Sequence, residues 1–215
     1  MSPPHTRSND QNKVGDMSKK DLLSLITQAL DPLKGSVDSL RSEVEGLNSQ
    51  LAEKDKVIHA LSERLNECEQ YSRRNNLRIF GVAESADEDT DAIVLKVASD
   101  IGAHLSVHQI DRSHRVGKAG TNPRPIIVKF TGYHPRRAMF QAKKALKGSA
   151  VTIREDLTQQ RLALLKKAIE AYSIKNVWTS DGVIMVNTGT KRPNRVKTSS
   201  DLDKLLERHP PKQEL

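Results

Sequence analysis

Leucine, isoleucine and valine recur along residues 23–68 at intervals of three and four, with polar residues between them. Written as a heptad, the a positions are Leu23, Leu30, Val37, Val44, Leu51, Ile58 and Leu65. The d positions are Ile26, Leu33, Leu40, Leu47, Lys54, Leu61 and Cys68. Thirteen of these fourteen are apolar, counting cysteine. Seven heptads exceed the three or four that define a coiled coil, so the pattern predicts a parallel coiled-coil rod over 18–72. Ser18 and Asp21 have capping-box spacing, and Met17 and Leu22 that of a hydrophobic staple. Asp31-Pro32 reads as an N-cap followed by proline at the first helical position. Because proline inside a helix costs about 3 kcal/mol, a break is expected near 31–32.

The seam also addresses the number of strands. β-Branched a residues with leucine at d favour dimers. Against this, Arg64 at g and Glu69 at e flank Leu65 and Cys68 as Arg-apolar-x-x-apolar-Glu, an arrangement found in trimeric coiled coils. The expectation is self-association with trimer favoured over dimer. It runs through Val37, Leu40, Val44, Leu47, Leu51, Ile58, Leu61, Arg64, Leu65, Cys68 and Glu69, with Cys68 a seam residue. Lys54 is the polar exception that sets register.

After residue 72 the period changes. Leu77 and Ile79 alternate with Arg78 and Phe80 as on a strand. Acids precede a helical face of Ile93, Val94, Val97, Ala98 and Ile101. "VHQIDRSHRVG" reads as a second strand and "RPIIVKF" as a third with Ile126, Val128 and Phe130 inward. "HPRRAMFQAKKALKG" reads as a helix with Ala138, Met139, Ala142 and Leu146 inward and Gly148 at its end. "AVTIRED" reads as a fourth strand. Strand, helix, strand, strand, helix, strand is the order of a ferredoxin-like RNA-recognition module, predicted over 73–155. A small α+β domain is predicted over 156–208. It has a helix capped by Asp156 with a stripe of Leu157, Leu162, Leu165, Ala168, Ile169 and Tyr172. A hairpin turns at Asp181-Gly182 with Trp178 in its core, a basic loop follows, and a last helix is capped by Ser200. Residues 1–17 and 209–215 read as tails, the first disordered. The fold class is therefore α+β behind an N-terminal coiled coil.

Charge narrows the function. The chain of 215 residues carries a net +8, yet residues 1–72 sum to −3 and residues 73–215 to +11. From Arg112 to Arg154 there are forty-three residues without Asp or Glu, and eleven of them are Lys or Arg. Solvated faces normally mix signs, so a single-sign run of this length points to phosphate neutralisation. The candidate contacts are Arg112, His114, Arg115, Arg124, Lys129, Arg136, Arg137, Lys143, Lys144, Lys147 and Arg154. Arg73 and Arg74 join them where the chain leaves the rod, Arg78 from the first strand, and Lys191, Arg192 and Arg195 from the C-terminal loop. An ordinary RNA-recognition module stacks bases on first- and third-strand aromatics. Here Arg78, Pro125 and Ile127 hold those positions and only Phe80 offers a ring, so backbone contact with a flexible strand is favoured.

One cysteine allows neither an intramolecular disulfide nor a cysteine zinc site, and fits a reducing compartment. The N-terminus lacks a signal-peptide core, and no apolar stretch approaches a membrane span. Enzymatic readings are thin. Asp111 with His114 lacks a second carboxylate for a metal-dependent nuclease or transposase. "VGKAGT" lacks the first glycine of a phosphate loop. No enzyme activity, cofactor or metal is expected. A coiled-coil scaffold for acidic proteins is the alternative that keeps the rod and discards RNA.

The ordered segments "RRNNLRIFGVAE", "DRSHRVG", "RPIIVKF", "AKKALKG", "IREDLT" and "VWTSDGVIMV" behind a coiled coil resemble the RNA-binding protein of the first open reading frame of LINE-type retrotransposons, the transposase 22 family. The resemblance covers about residues 60–206. It implies a trimeric rod and single-stranded RNA gripped by the recognition module and C-terminal domain. Packaging of the element's own transcript and nucleic-acid chaperone activity are implied as well. By position it would give RNA contact to Arg73, Arg74, Arg78, His114, Arg115, Arg124, Lys129, Lys143, Lys144 and Arg154. It implies residence in cytoplasmic ribonucleoprotein particles, with the nucleus as a second location.

Overall fold

The computed structural model describes residues 18–211. The expected tail at 1–17 and the last four residues of the 209–215 tail lie outside the described residues. Helix α1 runs from Lys19 to Ser72 and carries Pro32 inside it, so the expected break at 31–32 is absent. The lost N–H and ring clash are a single local cost. Interrupting the helix would add two frayed ends and a second nucleation. The Ser36 hydroxyl donates to the Pro32 carbonyl at 3.0 Å. Ser18 opens the helix as expected: its hydroxyl donates to Asp21 Oδ2 at 2.7 Å, and the Asp21 N–H points back to Ser18 Oγ at 3.3 Å.

Every a and d residue of the heptad is exposed. The chain divides into two compact units, one ending at Ala60 and the other spanning Leu61–Leu215. The last three turns of α1 thus belong to the second unit. There Asn66 and Gln70 are its buried residues, while Leu61 and Leu65 stay 55% and 69% exposed.

The second unit is α+β and holds two antiparallel sheets. The first comprises β1 (Asn76–Phe80), β2 (Ile110–Arg115), β3 (Ile126–Phe130) and β4 (Thr152–Glu155), in the order β2-β3-β1-β4. Helices α2 (Thr90–Asp100) and α3 (Tyr133–Ala142) cover one face. Leu77, Ile79, Ile126, Val128 and Ile153 are buried there with Val94, Val97, Ala98 and Met139. Strand alternation determines this face: Leu77 and Ile79 lie inside, and Asn76, Arg78 and Phe80 on the other side. Asp89 caps α2, its Oδ1 accepting from the Asp91 and Ala92 N–H groups at 3.0 and 3.1 Å. A one-residue irregularity at Asp111 interrupts the β2–β3 register. Two details differ from the sequence pattern. Val107–Gln109 is a 3-10 turn before β2, and Lys143–Leu146 is one after α3. On α3 itself Ala138 is exposed and Arg136 is buried in its place.

The second sheet is β5 (Val177–Ser180), β6 (Val183–Val186) and β7 (Asn194–Val196), in that order. Helices α4 (Gln159–Tyr172) and α5 (Ser199–Arg208) close its core of Leu164, Ala168, Tyr172, Ile184, Val186, Val196, Leu202 and Leu205. On α4, Leu162 is 46% exposed, and Arg161 and Leu164 take the inward positions. Asp181 and Gly182 both have positive φ, as a type I′ hairpin demands. A Cβ on Gly182 would also fall 2.8 Å from the Gln70 side chain, so glycine is needed there twice over. β7 forms from residues the sequence pattern leaves in a basic loop. Thr198 caps α5 rather than Ser200, paired reciprocally with Asp201, and Thr158 caps α4 rather than Asp156. Asp156 serves a different role.

Candidate nucleic-acid interface

The eighteen residues expected to meet nucleic acid divide by what holds them. Asp156 is 1% exposed and accepts from Arg78 Nε at 2.7 Å, from Arg73 Nη1 at 3.3 Å and from Asn76 Nδ2 at 3.1 Å. A buried carboxylate requires such partners. It therefore ties the end of α1 to β1 and to the chain leaving β4, and Arg73 and Arg78 are engaged in doing so. Arg73 also reaches Glu69 one turn back.

Arg115 is more fully committed. Its Nε and Nη2 hold both oxygens of Glu88 at 2.6 and 2.9 Å. Nη1 donates to the carbonyls of Val82 and Arg124 at 2.9 and 2.6 Å, and Nη2 to that of Ala83 at 2.8 Å. With 5% of its side chain exposed, Arg115 is a clasp for the β1–α2 loop, not an open cation. The pairing holds the Glu88 carboxyl below the ordinary glutamate range. Arg136 is likewise buried. It pairs with Glu155, whose other oxygen accepts the Gly182 N–H at 3.2 Å, and with Asp181 at 3.1 Å. Lys129 pairs with Asp111 at 2.7 Å and Arg124 with Glu84.

Two surfaces retain cations without an ion pair among the described residues. The first is the helix-free face of the β2-β3-β1-β4 sheet. Register aligns His114, Ile127, Arg78 and Arg154 in one row across all four strands. Phe80 lies one step along, with the Arg154 guanidinium 5.2 Å from its ring centre. Arg112 sits beyond, opposite Lys129. The second is a groove of about 800 Å³ between α3 with its 3-10 extension and β5. Tyr133, Arg137, Phe140, Lys143 and Lys144 line it from the α3 side and Trp178 from β5. The Lys143 ammonium sits 3.6 Å over the Phe140 ring, and burial draws its pKa below the ordinary lysine value. Tyr133 donates to the Asp181 carboxylate at 3.1 Å, and its pKa is raised, first by burial and then by that bond.

Trp178 is 43% exposed and is not a core residue, contrary to the sequence expectation. Its neighbour Val177 is buried, and on a strand the next side chain points the other way. That alternation was the available signal. The groove itself had none, because α3 and β5 lie some forty residues apart in sequence. Lys147, Lys191, Arg192 and Arg195 are exposed outside both surfaces, and Arg74 stacks on Tyr71 with its guanidinium 3.9 Å from the ring centre.

The seam residues Val37, Leu40, Val44, Leu47, Leu51, Ile58, Leu61, Leu65 and Cys68 are exposed, as are Arg64 and Glu69. No helix among the described residues is long and apolar enough to cross a membrane, and none of their His, Cys, Asp and Glu side chains form a metal-holding group of three or more. No protein-family model matches the chain, and no curated protein matches it.

Proposed function

We propose that this protein is a self-associating, non-catalytic binder of single-stranded nucleic acid, RNA foremost, and that the second unit carries the binding. The observation that carries the reading is the groove that Arg137, Lys143 and Lys144, none of them in an ion pair among the described residues, share with exposed Trp178. Phosphates need unpaired cations and unstacked bases need an open ring, and single-strand binders combine the two. The all-antiparallel order β2-β3-β1-β4, with both helices on one face, supports a ferredoxin-like module of the RNA-recognition kind. The ring-poor outer face of that sheet, with Arg78 and Ile127 at its centre, supports contact with little base reading.

The seam supports self-association. A helix with an apolar stripe exposed over seven heptads buries it against copies of itself. Arg64 and Glu69 favour three strands over two. Joining several weak sites raises effective concentration and hence avidity. By the resemblance to LINE-type first-frame proteins, we extend the reading to packaging of a retrotransposon transcript in ribonucleoprotein particles and to chaperoning of strand annealing.

Binding of the full-length chain to a labelled 20-nucleotide oligo(U), followed by fluorescence anisotropy across a salt series, tests the proposal. Affinity should fall steeply with salt, each phosphate contact adding about 0.7 to the log–log slope. Trp178→Ala should weaken binding by about 5- to 150-fold, the range of about 1–3 kcal/mol per stacked base. Absence of binding at low ionic strength refutes the reading.

A further inference from the structure

We infer that Glu84 is an internal stand-in for a phosphate, occupying Arg124 until a nucleic-acid strand displaces it. The inference rests on the proposed function and concerns Arg124, a cation outside the groove that lines a separate pocket with His114.

Between β1 and α2 the chain places five acids in eight residues, from Glu84 to Asp91, beside a basic run that has none of its own. Two of them hold arginines in unlike ways. Glu88 grips Arg115, whose three guanidinium nitrogens all have partners and whose side chain is 5% exposed. That pair is part of the fold. Glu84 grips Arg124 at the surface, the two side chains 30% and 34% exposed. Arg124 Nε donates to Glu84 Oε1 at 2.8 Å, Nη2 donates to the same oxygen, and the Arg124 backbone N–H points at Oε2 from 3.4 Å. Nη1 of Arg124 has no hydrogen-bond partner among the described residues.

A guanidinium and a backbone N–H converging on one anion is the donor set that takes a phosphate oxygen pair. Here a carboxylate from the same chain fills it, at the rim of an open pocket of about 680 Å³ that His114 also lines. Two facts make the occupant displaceable. An exposed ion pair is held weakly in water. Glu84 also has no further hydrogen-bond partner among the described residues to retain it. The Arg124 hydrogen bond draws the Glu84 pKa below the ordinary glutamate value, and glutamate is ionised at neutral pH in any case, so a competing anion rather than protonation releases the pair there. The effect is to subtract one cation from the free surface and to favour ligands with closely spaced phosphates, which can outcompete the carboxylate, over isolated anions.

The test compares full-length wild type, Glu84→Gln and Asp87→Asn in anisotropy titrations with oligo(U) 20-mer. Each pair is repeated in an Arg124→Ala background. Asp87 is an exposed acid of the same loop and removes the same charge without an arginine partner. Glu84→Gln should tighten binding about two- to fivefold, the worth of an exposed pair, while Asp87→Asn changes it less than twofold. The Glu84 gain should vanish without Arg124. In wild type, the Arg124 Nε–H resonance should shift when oligo(U) is added, a readout that needs no substitution. A Glu84→Gln affinity equal to or weaker than wild type, an equal gain from Asp87→Asn, a gain that survives Arg124→Ala, or an unmoved resonance would each overturn the inference while leaving RNA binding intact. Failure of wild type to bind oligo(U) at all would overturn both.

Discussion

Gln70 treats the backbone around Leu157 as if it were a neighbouring strand. Its side-chain amide donates to the Asp156 carbonyl at 3.0 Å and accepts from the Thr158 N–H at 3.0 Å. Asn66, one turn earlier, takes the Thr158 hydroxyl at 2.6 Å, and Glu67 takes Arg161 at 2.6 Å. In the heptad these are f, b and c positions. The last turns of α1 therefore meet the start of α4 through the polar face and leave a and d open.

Replacing Gln70 by leucine should destabilise the second unit by about 2–4 kcal/mol, because two buried backbone groups lose their partners. Trp178 is the only tryptophan, so a denaturant titration followed by its fluorescence reads that unit directly. A shift of the midpoint under a few tenths of a molar would contradict the role assigned to Gln70.

Leu61→Glu with Leu65→Glu should do the reverse. Both side chains are exposed in the single chain, so the second unit should keep its fold and its Trp178-detected transition should lose only what association contributes, measurable as a dependence on protein concentration in wild type that the variant lacks. Sedimentation equilibrium should nonetheless show a loss of self-association, because charge enters the seam. An oligomer unaffected by the pair would locate self-association elsewhere.

Arg115 and Lys144 look alike in sequence and should behave differently. Arg115→Ala removes the partner of Glu88 and five hydrogen bonds, three of them to backbone carbonyls, and should lower the melting temperature. Lys144 is exposed and has no ion pair among the described residues, so Lys144→Glu should weaken oligo(U) binding with the melting temperature unchanged. Paired thermal melts and anisotropy separate the two outcomes.

Acid should loosen the β1–α2 loop. The Arg115 hydrogen bond draws the folded-state pKa of Glu88 below its ordinary 4.5, so the unfolded chain takes up its proton first. The stabilisation is complete above pH 4.5 and is lost as the pH falls through the lower folded value. Glu84 and Asp111, lowered by Arg124 and Lys129, act in the same direction. Melting temperatures taken on either side of pH 4.5 should fall with acid in wild type and fall less in Glu88→Gln. Equal slopes would exclude Glu88 as a contributor.

Much of the architecture was legible in the chain because it rests on short-range rules. Period seven marked α1, period two marked β1 and β3, and Asp181-Gly182 marked the hairpin that forms. The errors also have local causes. Thr158 and Thr198 are the caps although Asp156 and Ser200 are cap residues of comparable strength in isolation. Pro32 carries a local penalty that the cooperativity of the helix around it outweighs.

Sequence alone determined where positive charge accumulates, which faces of the strands are apolar and where the apolar heptad runs along α1. Those follow from composition and spacing, and no partner can alter them. Only the tertiary structure decided which cations remain open. Arg78, Arg115, Arg124 and Arg136 meet Asp156, Glu88, Glu84 and Glu155, acids that all lie outside the acid-free stretch or beyond its ends. A guanidinium becomes part of the fold or a site for a ligand according to whether folding brings a carboxylate to it. That pairing spans nineteen to seventy-eight residues of chain, beyond the reach of any local pattern.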